Sequence, residues 1–261
     1  MAMTVADYML RANGMNEDDT GIDVGTMKVT RPFIANPNGG AQLLRISATA
    51  DWSAGTIAIS LFSTNNLGKK IADHGTCLVR ITNSRSWPQE WKRNSYLIKS
   101  RINALAKGVD SGESHKLKTG MVYKLFSSLV DYDSRYKGIQ EVVLDSNELE
   151  ATARVSFQVG DEGFYFNPIW IDSLGHIAGF IMNGNDNIHS KEEVFVNHGW
   201  DAMRCSTKFA KGKTYQTYNR MQLESGTTYV GDTYILDEGV VVAVFEGVRV
   251  SSCLNNFHMT Y

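Results

Sequence analysis

Cysteine is scarce in this 261-residue sequence, and Cys77, Cys205 and Cys253 form no CxxC pair. Their odd number and wide spacing argue against a disulfide framework or a zinc site and favour a reducing compartment. No apolar run approaches the ~18 residues that a membrane helix needs, and no signal-peptide pattern opens the chain. The sequence therefore predicts a cytoplasmic protein with no membrane partner.

Excess charge of either sign is also missing. The formal net charge is −2, which gives no electrostatic reason to expect a nucleic-acid partner. GxSxG, P-loop and GxGxxG motifs do not occur, so hydrolase, phosphotransferase and nicotinamide-binding functions have no support. Hydrophobic residues make up 43% of the chain, enough for one large core or two ordinary ones.

Strand-like runs, in which apolar residues alternate with polar ones, dominate two stretches of the chain. The first stretch, 1–86, predicts a helix that ends at Gly14 and then strands at 22–33, 42–50, 56–63 and 71–81. The second stretch, 117–250, predicts a helix over 117–136, strands at 139–144 and 149–159, a helix over 168–183, and strands at 194–205, 213–223, 227–236 and 240–250. Residues 87–116 are interpreted as a connector and 251–261 as a tail.

The two stretches match as copies of one design: a helix followed by four strands, with two leading strands present only in the second copy. A hydrophobic helix wrapped by an antiparallel sheet is a hot dog, so the prediction is an α+β double hot-dog fold. Its first hot dog is expected to be truncated at the N-terminus. The alternative is an unrelated α+β domain whose similar pattern is accidental.

The helix over 168–183 carries the most informative polar pair. Asp172 and His176 are four residues apart and share a helix face, which Gly175 and Gly179 keep uncrowded. A buried carboxylate needs a partner, a raised pKa or a polar cavity, so the pair indicates a site for proton chemistry. Two simpler interpretations remain open: a carboxylate that faces solvent near the start of a helix, and a satisfied core histidine.

Neighbouring signals are weaker. Asp172 and His176 have no further ligands at suitable spacing, so no metal site is predicted. Asn197 and His198 are adjacent in a strand and point to opposite faces, so only one can line a cavity, and a plain surface role suits both equally. The polar run 183–187 is interpreted as a turn rather than a calcium loop.

Three runs carry a family resemblance: 121-MVYKLFSSLVDYDSRYKGIQEVVLDSNELEATARVSF-157, 170-WIDSLGHIAGFIMNGND-186 and 195-FVNHGWDAMR-204. They resemble the product-template domain of fungal non-reducing polyketide synthases, most closely those that make pigments of the conidial and melanin type. The resemblance implies a double hot-dog fold related to dehydratase domains. It also implies regiospecific aldol cyclisation and aromatisation of a poly-β-ketone held as a thioester on an acyl carrier protein.

In that family a histidine of the first hot dog acts as the general base, and an aspartate on the second hot-dog helix assists it. The family aspartate falls on Asp172. None of the six histidines stands at the place of the family histidine, and the tail 251–261 also departs from the pattern. We therefore expect a partial gene product that lacks the histidine and is inactive in isolation.

The resemblance implies a closed reaction chamber that Asp172 faces. We predict stacking walls for polyketone and aromatic intermediates, and polar contacts to carbonyl oxygens of the chain. The predicted walls are Trp170, Phe180, Trp200 and Tyr132, each with a core role as its alternative, and the predicted polar contacts are His176 and Asn197.

No cofactor is predicted within the domain, because phosphopantetheine on the carrier protein delivers the substrate. The other domains of the synthase are the expected partners, and a homodimer is the expected assembly. Two rival functions remain open. One is a dehydratase that acts on a β-hydroxyacyl thioester. The other is an inert fragment that binds acyl chains or the carrier protein without turnover.

Overall fold

The computed structural model describes residues 1–15, 18–34, 36, 39–127, 129–161, 163–188, 193–254 and 259–260. The first unit consists of helix α1 (Ala2–Ala12) and strands β1 (Thr20–Val29), β2 (Leu43–Asp51), β3 (Thr56–Thr64) and β4 (Lys70–Asn83). All four strands pair antiparallel in the order β2-β3-β4-β1. These elements confirm the predicted helix and four strands, and Gly14 adopts the positive φ of 66° expected just beyond a helix end.

The apolar stripe of α1 lies on the sheet of the first unit. Met3, Ala6 and Leu10 are buried against Ile57, Ile59 and other residues of the strands. This spacing of three and four residues places all three side chains on one helix face, so α1 is held by its packing on the sheet.

Residues 87–116 are more than a connector. They form helices α2 (Trp87–Lys92) and α3 (Ser95–Ser111). Trp87, Trp91 and Ile98 pack with Tyr218 and Val244 in an apolar cluster separate from the main core of the second unit. Most charged residues of this segment are exposed, whereas Trp87, Trp91 and Ile98 are buried in this cluster against the sheet.

The predicted helix over 117–136 is wrong in length. The chain there forms strand β5 (His115–Lys118), helix α4 (Thr119–Phe126) and the short strand β6 (Val130–Asp131), followed by a 3₁₀ turn over Ser134–Tyr136. Leu117 belongs to β5, which pairs antiparallel with a later strand. Val130 and Asp131 pair in parallel with β14 (Met259–Thr260), within the predicted tail.

The rest of the second unit follows the predicted order. It contains strands β7 (Ile139–Asp145) and β8 (Glu150–Ser156), helix α5 (Pro168–Asn183), and strands β9 (Glu193–Trp200), β10 (Ala202–Cys205), β11 (Thr214–Ser225), β12 (Thr228–Asp237) and β13 (Val240–Leu254). The strand order is β9-β13-β12-β11-β8-β7-β5. Helix α5 is wrapped by these strands and buries most of its residues in the largest apolar cluster.

One predicted strand, 194–205, is broken at Asp201 into β9 and β10. The backbone of Asp201 leaves the ladder of β9: its N–H donates to the carbonyl of Glu246, and its carbonyl accepts from the N–H of Thr26. The strand prediction missed this break because apolar alternation continues across it.

A narrow seam joins the two units into one twelve-stranded sheet. In the seam, Met27 of β1 pairs with Trp200 of β9, and Lys28 pairs with Gly199. The order β1-β4-β3-β2 in the first unit repeats the order β9-β13-β12-β11 in the second, which confirms the predicted double hot-dog arrangement. No helix within the described residues combines the length and apolar character that crossing a bilayer requires.

Candidate functional site

Helix α5 begins and ends as the sequence predicts. The Oδ1 of Asn167 accepts a hydrogen bond from the N–H of Ile169 at 2.9 Å, and Pro168 occupies the first helical position. At the other end, the N–H of Gly184 donates to the carbonyl of Phe180 at 2.7 Å. These caps fix the helix that carries Asp172 and His176.

Asp172 and His176 form a direct hydrogen bond across one turn of α5. The Nε2 of His176 lies 2.8 Å from the Oδ2 of Asp172. The imidazole is 3% exposed and the carboxylate is 47% exposed. The described residues do not enclose Asp172, because about half of its side chain faces water, and the predicted closed chamber stays a prediction. The buried partner of the pair is His176.

Tyr123 of α4 completes the environment of the imidazole. Its hydroxyl lies 3.1 Å from the Nδ1 of His176 and accepts a hydrogen bond from the N–H of Ile139 at 3.0 Å. Three aromatic rings surround the imidazole, with centroid distances of 5.8 Å to Tyr123, 5.7 Å to Phe126 and 4.4 Å to Tyr132. The imidazole thus has polar partners at both nitrogens and aromatic neighbours around its ring.

Sequence reasoning missed Tyr123. The helix predicted over 117–136 contains Tyr123, but that prediction gave its hydroxyl no role. A signal did exist, since a tyrosine in an otherwise apolar helix needs a partner for its hydroxyl. The identity of that partner depends on the contact between α4 and α5, which sequence spacing does not show.

Two predicted chamber walls lie in the core instead. Phe180 has no exposed surface and contacts Phe126 with a centroid distance of 5.4 Å. Trp170 is buried, stacks on Phe157 at 4.6 Å and donates from Nε1 to the carbonyl of Val159 at 3.2 Å. Both side chains fill the second hot dog and support α5 from within, so neither faces an open chamber here.

The other predicted contacts have mixed outcomes. Trp200 is partly buried in the seam, where it contacts the apolar clusters of both units and its Nε1 donates to the carbonyl of Val24 at 2.9 Å. Asn197 is exposed, and its side chain accepts from the N–H of Gly199 at 2.9 Å. Tyr132 lies beside His176, with 4.4 Å between the ring centroids. Of the predicted set, the structure brings Tyr132, Asp172 and His176 together.

The electrostatics of the site keep the Tyr123 hydroxyl neutral. Burial raises the pKa of Tyr123 far above its ordinary value, and the nearby charge of Asp172 adds to the rise. The Tyr123 hydroxyl therefore keeps its proton at neutral pH. The Oδ1 of Asp172 has no protein partner among the described residues, and a Cβ placed on Gly175 would meet no atom within 4 Å. One carboxylate oxygen is held, and the other can orient a proton on a bound substrate.

Histidines elsewhere do not join this pair. His198 is hydrogen-bonded to the Oγ of Ser251 at 2.7 Å, and His74 to the Oγ of Ser63 at 3.0 Å. His115 lies 3.5 Å from the carboxylate of Asp186. His189 and His258 fall outside the described residues. No group of three or more histidine, cysteine or acidic side chains within the described part of the chain could hold a metal ion.

Known structures share the fold of this chain. The dehydratase domain of RzxB from Pseudomonas fluorescens matches with a TM-score of 0.66 and 14% identity, covering 96% of this chain and 83% of that one. The dehydratase domain from the CurK module of curacin polyketide synthase matches with a TM-score of 0.68 and 13% identity, covering 97% and 82%. At this level of identity the likeness shows the fold alone.

Sequence relatives are much more similar. The chain is 51% identical over 251 residues to the non-reducing polyketide synthase phnA of Penicillium herquei. It is 46% identical over 249 residues to the conidial pigment polyketide synthase alb1 of Aspergillus fumigatus. Each match covers 95% of this chain and 12% of the relative, so the chain spans about an eighth of their length.

A family profile gives the same assignment. Residues 106–256 match the family described as the polyketide synthase dehydratase N-terminal domain. This match includes α5 with Asp172 and His176, as well as α4 with Tyr123. The chain therefore belongs to the polyketide synthase dehydratase N-terminal domain family.

Proposed function

We propose that this chain forms part of a product-template domain in an iterative non-reducing polyketide synthase. Its function there is to direct regiospecific aldol cyclisation and aromatisation of a carrier-bound poly-β-ketone in pigment-type biosynthesis. The names of the relatives supply the synthase class. The hydrogen bond between Asp172 and His176 on α5 is the observation that supports a reactive site.

Aldol cyclisation requires removal of an acidic proton between two carbonyls, attack of the resulting enolate on a distant carbonyl, and loss of water. The resemblance assigns proton removal to a histidine that has no counterpart at the matching place of this sequence. We therefore assign no general base among the described residues. Asp172 would orient or relay the proton through its open oxygen, because its other oxygen is held by His176.

The role of His176 differs from the predicted contact with a substrate carbonyl. The imidazole is buried and both of its nitrogens already have protein partners. It would act through Asp172 by holding the carboxylate in one orientation. Fixing one folded geometry of the substrate is the larger contribution of such a site, since proximity and orientation lower the barrier without any cofactor.

The proposed partners follow from the same function. A carrier protein would deliver the polyketone on phosphopantetheine, and the remaining domains of the synthase would adjoin this one. Dimeric assembly, the boundaries 1–86, 87–116 and 117–250, and the roles of Trp200 and Asn197 as substrate contacts stay predictions.

A segment exchange tests the function directly. The matching segment of the Penicillium herquei synthase is replaced by this chain, and its products are compared with those of Asp172→Asn and Asp110→Asn exchanges. Asp110 is an exposed carboxylate on α3 and serves as the matched control. We expect one ring-closure pattern to survive with Asp110→Asn and to give way to mixed, spontaneous products with Asp172→Asn. The same product distribution from both would refute the role of Asp172.

Dehydration is the second candidate, because the fold neighbours are dehydratase domains and the matching family carries that description. A dehydratase would convert a β-hydroxyacyl thioester into an enoyl thioester. Mass spectrometry of carrier-bound intermediates separates the two: accumulation of an enoyl thioester with no aromatic product would favour dehydration.

A further inference from the structure

His176 lies between one group that only accepts hydrogen bonds and one group that can donate. A neutral imidazole carries one N–H donor and one acceptor nitrogen. The carboxylate of Asp172 faces Nε2 at 2.8 Å, and a carboxylate only accepts hydrogen bonds, so Nε2 carries the proton. Nδ1 is then the acceptor, and among the described residues the hydroxyl of Tyr123 is its hydrogen-bond partner.

The Tyr123 hydroxyl is free to donate to Nδ1. One of its lone pairs accepts from the N–H of Ile139. Its other acceptor within reach is the carbonyl of Tyr136, at 3.2 Å. That carbonyl already accepts from the N–H of Gly138 at 2.8 Å and from the Oγ of Ser173 at 3.3 Å. Donation to His176 therefore leaves no buried polar group in this set without a partner.

We propose that Tyr123 is a positioning residue that holds neutral His176 in the tautomer with its proton on Nε2, and thereby orients the carboxylate of Asp172. The proton arrangement runs from the Tyr123 hydroxyl to Nδ1, and from Nε2–H to the Oδ2 of Asp172. The catalytic consequence rests on the proposed function, whereas the tautomer itself does not.

Two features make this arrangement rigid. The Ile139 N–H that anchors the hydroxyl is a backbone group at the start of β7, so the tyrosine oxygen is fixed relative to the sheet. The imidazole is packed among the rings of Tyr123, Phe126 and Tyr132, so a ring flip that exchanged its nitrogens would displace packed aromatic side chains. The open oxygen of Asp172 then keeps one direction.

Nitrogen NMR of the 261-residue chain tests the tautomer without any enzymatic assay. The chain is labelled with ¹⁵N-histidine, and the signals of His176 are identified by their loss in His176→Gln. At a pH where the imidazole is neutral, we expect a protonated Nε2 and an unprotonated Nδ1. A proton on Nδ1 in the unsubstituted chain would overturn the proposal, whatever the variants show.

Tyr123→Phe and Tyr136→Phe form the matched pair of variants. Each loses one phenol hydroxyl, but the Tyr136 side chain makes no hydrogen bond to His176, and the backbone carbonyl of Tyr136 remains. We expect the ¹⁵N signal of Nδ1 to shift in Tyr123→Phe, because that nitrogen loses the hydroxyl that donates to it, and to stay in place in Tyr136→Phe. An unchanged Nδ1 signal in folded Tyr123→Phe, or equal shifts in both variants, would overturn the proposal. The correct tautomer in a chain whose segment exchange fails would leave this inference standing and refute the proposed function.

Discussion

Gly175 follows Asp172 by three residues on α5, and it has no packing reason to be glycine. A Cβ built there meets no atom within 4 Å. Glycine inside a helix costs roughly 1 kcal/mol relative to alanine, because it loses more backbone freedom on folding. Gly175→Ala should therefore stabilise the chain by about 1 kcal/mol and raise its Tm by roughly 2–4 °C, the shift expected for a domain of 150–250 residues.

Thermal and urea unfolding of the purified chain measure this effect. Gly184→Ala supplies the opposite control, because its Cβ would lie 2.7 Å from the ring of Phe180 and 2.9 Å from that residue's carbonyl oxygen. That variant should be clearly destabilised. If Gly175→Ala is neutral or destabilising, the space beside Asp172 is not open and the reasoning about the site fails.

The same substitution should have the opposite effect on function. In the exchanged synthase, the alanine methyl group would project into the open space beside Asp172, where the proposed substrate has to lie. We expect Gly175→Ala to lower the yield of the main aromatic product while the protein becomes more stable. Full activity with increased stability would show that this space is not used by the substrate.

Three further predictions concern the rest of the chain. Arg101→Gln removes the cation that pairs with fully buried Glu150, and it should lower the free energy of unfolding in urea by about 2–3 kcal/mol. This is less than the ~3–5 kcal/mol of a fully buried pair, because the Arg101 side chain is 42% exposed. A loss no larger than that of Lys99→Gln would contradict this. Burial raises the pKa of the Cys77 thiol from 9.0 to about 11. As pH rises, the thiol therefore loses its proton in the unfolded chain at a lower pH than in the folded chain, and the free energy of unfolding should fall between pH 9 and 11. The same slope in Cys77→Ala would refute that account. Since no general base is assigned among the described residues and Asp172 alone cannot replace it, the purified chain should give no ring product from a polyketone mimic above the spontaneous background, and catalysed product would disprove this.

Local patterns predicted the elements whose partners are close in sequence. The start of α5 at Asn167 and Pro168, its end at Gly184 and the turn between β7 and β8 all depend on nearby residues, and all agree with the structure. The repeat of one helix followed by four strands was also visible, because it depends only on the order of elements along the chain. In the fold, the first strand of each copy pairs with the last strand, which the sequence did not show.

Elements that depend on distant partners were predicted less well. Leu117 has helical spacing with Met121, yet it lies in β5 because β7 offers it a ladder of backbone hydrogen bonds. The break at Asp201 depends on Thr26, which is far away in sequence. Local propensity cannot report such pairings, since tertiary contacts override it.

The candidate site shows the same limit. The spacing of Asp172 and His176 predicted their shared face, and the structure joins them by a hydrogen bond. Which of the two is buried could not be derived, because it depends on how α4 and its aromatic residues cover α5. The burial of Phe180 and the hydrogen bond of Tyr123 likewise depend on side chains from other elements.

The seam between the units has a consequence for building hybrids of related synthases. Only two residue pairs join β1 to β9, whereas β2 and β3 match over nine. A chimaera that takes its first half from one relative should therefore be joined just before Trp87, because α2 and α3 belong to the second half by their packing. At that junction few backbone hydrogen bonds cross between parental halves. Two hydrogen bonds across the seam would then mainly decide whether two parental halves fit together. The Nε1 of Trp200 donates to the carbonyl of Val24, and the N–H of Met203 donates to Asp23.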